Sequence, residues 1–147
     1  MDIQAAIGIH QMDKVDRFVE RRAELAGLYC RAFKEIKGAR PLGLVPYRHR
    51  HAWHIFVVQL ELEKLTIDRD RFLDLLKERN IGSGIHFPAL HLQPYYQERW
   101  GYRPDDFPNA KRASERIVSL PLFPSMSEQD AQDVVWAVGE ILAGHLR

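Results

Sequence analysis

The 147-residue chain has little of several features that would narrow its function at once. Its single cysteine, Cys30, excludes an internal disulfide framework and favours a reducing compartment. It contains no apolar run of about 18 residues, the length that a membrane-spanning helix needs. Its first residues lack the basic region and apolar stretch of a secretory signal. We therefore expect a cytoplasmic protein without a membrane partner.

An excess of charge of either sign is also missing. Twenty-one Lys and Arg residues balance twenty Asp and Glu residues, giving a formal net charge of +1. Proteins that bind nucleic acid usually show a marked basic excess, so this balance argues against a nucleic-acid partner. The composition, with 46% hydrophobic and 28% charged residues, is typical of one ordinary globular domain.

The first proline-free segment, from Asp2 to about Lys37, predicts one long helix that either breaks near its middle or reaches between two domains. Its apolar side chains recur with the spacing of one buried face and are Met12, Val15, Val19, Ala26, Tyr29, Phe33 and Ile36. The opening Ile3–Ile9 is apolar or small almost all round, which is typical of a helix covered on every side. Because little else in the chain is free to cover it, we expect a preceding domain or a second subunit there.

The rest of the chain alternates predicted strands and helices. The predicted strands, rich in β-branched and aromatic residues, are Trp53–Leu62, Ile81–Phe87 and an edge strand at Leu120–Phe123. The predicted helices are Asp68–Arg79, Pro94–Trp100, Pro108–Val118 and a last one that a Ser127–Asp130 capping box opens. Residues 38–50 read as a connector. This order predicts an α+β fold, an α/β sandwich of about three strands with helices packed on one face.

Three histidines form an H-x-H-x-x-H pattern at His49, His51 and His54. Three imidazoles could bind zinc. Two of them lie in a basic loop with Arg48 and Arg50, however, and these guanidinium groups would repel a cation. We interpret the pattern as a polar loop and assign no metal ligand.

The segment Gly82–Phe87 carries two glycines, which let a ligand or another backbone approach closely. Phosphate-binding loops need a third glycine or a Gly-Lys-Ser/Thr end, and neither is present. The loop that follows holds His86, His91, Tyr95 and Tyr96. Such loops concentrate binding residues, although a hydrogen-bonded strand histidine and half-buried tyrosine anchors would give the same pattern. These residues alone make no complete catalytic set.

Six segments together carry a family pattern. In chain order they are Asp2–Gly8 (DIQAAIG), Glu20–Arg22 (ERR), Ala52–Phe56 (AWHIF), Leu76–Phe87 (LKERNIGSGIHF), His91–Tyr96 (HLQPYY) and Ser114–Pro124 (SERIVSLPLFP). In order and spacing they resemble segments of the DegT/StrS-type aminotransferases, which are pyridoxal-phosphate enzymes that aminate nucleotide-linked keto sugars. The nearest likeness is to family members that make the UDP-linked 4-amino-4-deoxy-arabinose used to modify lipid A.

The resemblance implies that residues 1–147 are the small C-terminal domain of a fold-type-I aminotransferase, with residues 1–37 as a helix between domains. It implies that the large pyridoxal-phosphate domain is absent from this chain, and that the full-length protein is a homodimer. The implied substrate is a UDP-4-keto-pentose-like sugar nucleotide used in lipopolysaccharide biosynthesis. The family's Schiff-base lysine has no counterpart among the six lysines, Lys14, Lys34, Lys37, Lys64, Lys77 and Lys111. We therefore expect no catalytic residue, no bound cofactor and no activity in the isolated chain.

By the same resemblance, His86 and Phe87 lie near the mouth of the active site and His91 lies on the adjoining loop. We expect all three to contact the sugar nucleotide. The sequence does not identify the residues that contact the cofactor. An alternative is a freestanding module that binds a sugar nucleotide or docks a subunit without catalysis. The sequence leaves open which keto sugar is aminated and which amino donor is used.

Overall fold

The computed structural model describes all residues from 1 to 147 and contains six α-helices and three strands. The helices are α1 (Asp2–Met12), α2 (Val15–Ala32), α3 (Arg69–Glu78), α4 (Pro94–Trp100), α5 (Pro108–Ser114) and α6 (Glu128–Ala143). The strands are β1 (Ala39–Pro41), β2 (Phe56–Leu60) and β3 (Ile117–Leu120). Short 3₁₀ turns lie at Leu62–Lys64, Leu90–Leu92 and Pro104–Asp106. None of the helices combines the length and the apolar character needed to cross a membrane.

Strand β2 is the centre of an antiparallel sheet with the order β1-β2-β3. Because alternate residues of a strand point to the same face, Phe56, Val58 and Leu60 are buried together on one side of the sheet. The same hydrophobic core contains buried residues of α2, α3 and α6. The predicted α+β fold, with three strands and helices packed against the sheet, is therefore confirmed.

Tyr29 of α2 lies in this core. Its ring centroid is 4.8 Å from that of Phe56, and its side chain has no exposed surface. Its hydroxyl donates a hydrogen bond of 2.9 Å to the backbone oxygen of Pro121. A buried hydroxyl needs such a partner, and this one ties α2 to the segment that leaves β3.

The predicted helix over residues 1–37 is two helices in the structure. The regular ladder is interrupted at Lys14, whose N–H donates to the oxygen of Gln11, three residues back. Both Asp13 and Lys14 keep right-handed helical dihedral angles. The single buried face that the sequence predicted exists only in the second half of α2, since no residue of α1 is buried.

Two of the three predicted strands are wrong in position. Ile81–Phe87 forms only an isolated antiparallel bridge, in which Gly84 pairs with Ser119. The edge strand predicted at Leu120–Phe123 is instead β3, which ends at Leu120 because Pro121 has no N–H to donate. The third strand, β1, lies in the stretch that was predicted as a connector.

The predicted helices agree with the structure more closely than the predicted strands do. The predicted helix from Asp68 is α3, which ends at Glu78. Asn80 follows with a left-handed φ of 58°, and the N–H of Ile81 donates to the oxygen of Leu76. Helix α4 has its predicted bounds. Helix α5 ends earlier than predicted because β-branched residues after it join β3. The predicted capping box opens α6.

Candidate functional site

His86 and Phe87 lie on the exposed segment between α3 and α4. The Nδ1 atom of His86 is 2.9 Å from the Oγ atom of Ser119, a buried residue of β3. Phe87 has 74% of its surface exposed, and its ring meets that of His86 edge-on at 5.2 Å. The two predicted residues therefore present a polar and an apolar group side by side on the surface.

The loop after Phe87 is tied to the body of the fold through Ser114. The N–H of Ala89 donates a hydrogen bond of 2.9 Å to the Oγ atom of Ser114. The guanidinium group of Arg69 donates to the backbone oxygen of the same serine. The loop is therefore held at the end of α5, which Arg69 in turn ties to α3.

His91 has a different environment from His86, since only 5% of its surface is exposed. Its Nε2 atom is 3.2 Å from the backbone oxygen of Pro104. A carbonyl oxygen only accepts, so Nε2 carries the proton in this bond. The ring also lies 5.0 Å from that of Phe107. These contacts make His91 an anchor of the loop.

An aromatic strip continues from this anchor along α4 and the turn after it. It consists of Tyr95, Tyr96, Trp100, Tyr102 and Phe107, whose neighbouring ring centroids lie between 5.3 and 6.3 Å apart. Four of these side chains are large exposed apolar groups. The sequence drew attention only to the two tyrosines of α4. The short spacing of aromatic residues from 95 to 107 was a signal for the whole strip.

The H-x-H-x-x-H segment does not form a metal site. The Nδ1 atom of His49 bonds to the backbone oxygen of Tyr47, and the Nδ1 atom of His51 accepts from the N–H of Trp53. The ring of His51 lies 4.1 Å from that of Trp53. The structure brings together no group of three or more His, Cys, Asp or Glu side chains that could hold a metal ion.

The lysines of this chain do not fit a covalently bound pyridoxal phosphate. All six are exposed or half-buried, whereas a Schiff-base lysine needs a pocket that disfavours its charged form. Lys64 is paired with Glu61 at 2.9 Å. The hydrogen bond from Lys111 to Asp105 raises the pKa of this lysine, which is the opposite of what a nucleophilic amine requires.

The other shifted pKa values follow from hydrogen bonding and burial within the fold. Hydrogen bonding from Arg116 lowers the pKa of Glu63 to about 2, and this pair joins the turn after β2 to the start of β3. Burial raises the pKa of the Cys30 thiol. A raised pKa disfavours the thiolate, so this thiol lacks the activation of a nucleophilic cysteine.

Comparisons with known proteins match nearly the whole chain. The model of the DegT/DnrJ/EryC1/StrS aminotransferase family matches residues 1–139. The spore coat polysaccharide biosynthesis protein SpsC of Bacillus subtilis (strain 168) is 44% identical over 147 residues, which cover 97% of this chain and 37% of that protein. The chain therefore spans less than two fifths of that relative's length.

Solved structures share the fold. The aminotransferase TlmJ from Streptoalloteichus hindustanus matches with a TM-score of 0.85 and 27% identity, over 97% of this chain and 37% of TlmJ. The PLP-form of Spr1654 from Streptococcus pneumoniae matches with a TM-score of 0.88 and 22% identity, over 98% of this chain and 36% of that one. At this identity the second likeness is one of fold alone.

Proposed function

The chain belongs to the DegT/DnrJ/EryC1/StrS aminotransferase family, and on this premise we propose that it is the C-terminal part of a pyridoxal-phosphate-dependent aminotransferase acting on a nucleotide-linked keto sugar. The match to SpsC carries the proposal, because it extends over 97% of this chain and only 37% of the relative. The name of SpsC supports a sugar destined for a surface polysaccharide. A UDP-4-keto-pentose-like substrate used in lipid A modification is the narrower form of the same proposal.

In this proposal the cofactor is held by residues outside this chain, because the six lysines do not fit it. The contribution of this chain is a surface that closes over the sugar nucleotide. His86 offers a hydrogen-bonding group and Phe87 an exposed ring beside it. His91 acts by holding the loop through Pro104. The lone unpaired Cys30 supports a reducing, cytoplasmic location.

The exposed face of α1 supports a domain or subunit contact. Ile3 is 77% exposed and Met12 is 70% exposed, and Ile7 and Ile9 between them are exposed as well. Large contiguous apolar patches on a surface mark interaction sites. We place the large pyridoxal-phosphate domain against α1, near the contact between the two subunits of a homodimer.

The test compares the chain alone with the full-length protein, using pyridoxal phosphate, glutamate and a UDP-4-keto sugar. We expect amination of the sugar by the full-length protein and none by residues 1–147. The chain alone should also form no Schiff base that borohydride can trap. Each lysine is changed to arginine in turn as a control.

A Schiff base that borohydride traps in the chain alone, and that disappears on one Lys→Arg change, would contradict the proposal that the cofactor is held by residues outside this chain. A full-length protein that aminates no sugar nucleotide would contradict the proposed reaction. Calorimetric binding of a UDP-sugar to the chain alone, combined with that inactivity, would support the freestanding binding module instead.

A further inference from the structure

The side chain of Ser119 makes one contact that the proposed reaction does not by itself require. Ser119 lies in β3 and is almost completely buried, yet its Oγ atom is 2.9 Å from Nδ1 of the exposed His86. We propose that Ser119 is a positioning residue that holds His86 with its proton on Nε2. The outward nitrogen then donates a hydrogen bond to an oxygen acceptor of the substrate. The substrate part of this inference rests on the proposed function.

The direction of the hydrogen bond between Ser119 and His86 follows because the buried Ser119 hydroxyl requires an acceptor. A buried hydroxyl proton without an acceptor is costly, and the imidazole is the one hydrogen-bond partner of this hydroxyl. Ser119 therefore donates to Nδ1, which accepts with its lone pair. A neutral imidazole carries a single proton, so that proton is on Nε2. Reversing the bond would leave the Ser119 proton without an acceptor.

The backbone places the ring where the serine can reach it. The N–H of Ser119 donates to the oxygen of Gly84 at 2.8 Å, and the N–H of Gly84 donates back to Ser119 at 3.1 Å. His86 is two residues further along the segment that this pair fixes. A Cβ atom at Gly84 would lie 3.3 Å from the Cε1 atom of His86, so a larger residue would crowd the ring. The glycine thus keeps free the space that the imidazole occupies.

The exposed Nε2–H group selects a ligand by its chemistry. It pairs with an oxygen that accepts a hydrogen bond, such as a phosphate, carbonyl or hydroxyl oxygen. A nucleotide-linked sugar carries all of these. The ring of Phe87, 5.2 Å from His86, lies beside this donor and provides apolar surface for a ring of the same ligand.

The experiment uses the full-length protein with Ser119→Thr and Ser119→Val, which have the same shape and differ in the hydroxyl group. The ¹⁵N signals of the His86 ring report its tautomer, and His86→Gln identifies them. We expect the threonine variant to keep the Nε2–H pattern and the valine variant to lose it. The valine variant should also have a KM for the sugar nucleotide about three- to tenfold higher, with little change in kcat. Ser119→Ala serves as the second hydroxyl-free variant if valine is not accommodated.

Identical His86 ring signals in the threonine and hydroxyl-free variants would overturn the inference. An Nδ1–H tautomer in the unmodified protein would overturn it as well. Failure of the proposed function looks different. In that case the full-length protein aminates no sugar nucleotide, so no KM is measured, while the His86 ring signals still depend on the Ser119 hydroxyl. A full-length protein that aminates the sugar nucleotide with the same KM after His86→Gln would instead overturn the substrate part of this inference alone.

Discussion

Two histidines of one loop, His86 and His91, meet different surroundings although they are five residues apart in the chain. The ring of His86 is exposed and hydrogen-bonded to a buried serine of β3. The ring of His91 is buried against Phe107. The loop between them turns inward at Ala89, which the Ser114 hydroxyl holds. At the scale of single residues, only His86 of this pair therefore presents its ring at the surface.

Phe87 provides the functional test at this scale. In the full-length protein, Phe87→Ala should raise the KM for the sugar nucleotide by roughly ten- to a hundredfold, because a ring that a ligand covers contributes about 1.5–3 kcal/mol when fully buried. The free energy of unfolding should change by less than about 0.5 kcal/mol, since Phe87 is 74% exposed. Steady-state kinetics and urea unfolding measure the two quantities.

A matched control for Phe87 is Trp136→Ala on α6, which removes another exposed aromatic side chain outside the loop. We expect its KM to equal that of the unmodified protein. An equal rise of KM in both variants would mean that lost aromatic surface in general, and not a contact at Phe87, caused the effect.

At the scale of elements, the start of α6 is held by a reciprocal cap. The Oδ2 atom of Asp130 accepts from the N–H of Ser127 at 2.9 Å, and the N–H of Asp130 donates to the Ser127 hydroxyl at 3.0 Å. The hydrogen bond from the Ser127 backbone lowers the pKa of the Asp130 carboxyl. The charged carboxylate is therefore favoured in the folded chain.

This lowered pKa predicts a pH-dependent effect of Asp130→Asn. Because the folded-state pKa lies below the unfolded value of about 3.9, the carboxylate stabilises the fold above that pH and loses this effect as pH falls through the folded-state pKa. The variant should be less stable than the unmodified chain at about pH 7, and the difference should shrink toward about pH 3. Urea unfolding across this range measures it. Asp74→Asn, which makes the same substitution at an exposed site on α3, is the matched control. A difference that stays constant with pH would contradict the prediction.

Helix α1 is the element that the chain leaves without packing. Replacing Ile3 and Ile7 by glutamate should reduce self-association of the isolated chain, because the two side chains are exposed four residues apart on one helix face. In the full-length protein the same change should lower stability by several kcal/mol, because charges would be buried at the proposed domain contact. Sedimentation and thermal unfolding report the two effects.

The control for α1 is Gln4→Glu, which adds a charge to an already polar position of the same helix. It should change neither sedimentation nor unfolding. If the double variant left the full-length protein as stable as before, α1 would not lie at a buried contact.

At the scale of the whole molecule, Tyr29 joins the parts of the core. Its hydroxyl bonds to Pro121 and its ring packs on Phe56, so one side chain connects α2, β2 and the segment after β3. Tyr29→Phe should lower the free energy of unfolding by about 1 kcal/mol, because the oxygen of Pro121 loses its buried donor. Urea unfolding checks this value. Tyr47→Phe, at a 67% exposed position, should be neutral, and an equal loss in both variants would contradict the role of Tyr29.

The local parts of the fold could be predicted because their causes are local. A cap such as Ser127–Asp130 and a helix end such as Asn80 involve residues a few positions apart. Strands depend on partners far away in the chain. Gly84 meets β3 at a single residue, so its segment is not a strand, and the short β1 has a partner only because β2 folds back beside it.

The sequence by itself determined the α+β class, most helix ends, the family pattern and the apolar character of the first helix. Tertiary structure decided which of the predicted site residues are exposed. It buried His91 against Phe107 and left His86 and Phe87 on the surface. It also brought Ser119 to His86 across 33 positions of the chain. Side-chain contacts over such separations follow from packing of the whole chain, and no local pattern of residues encodes them.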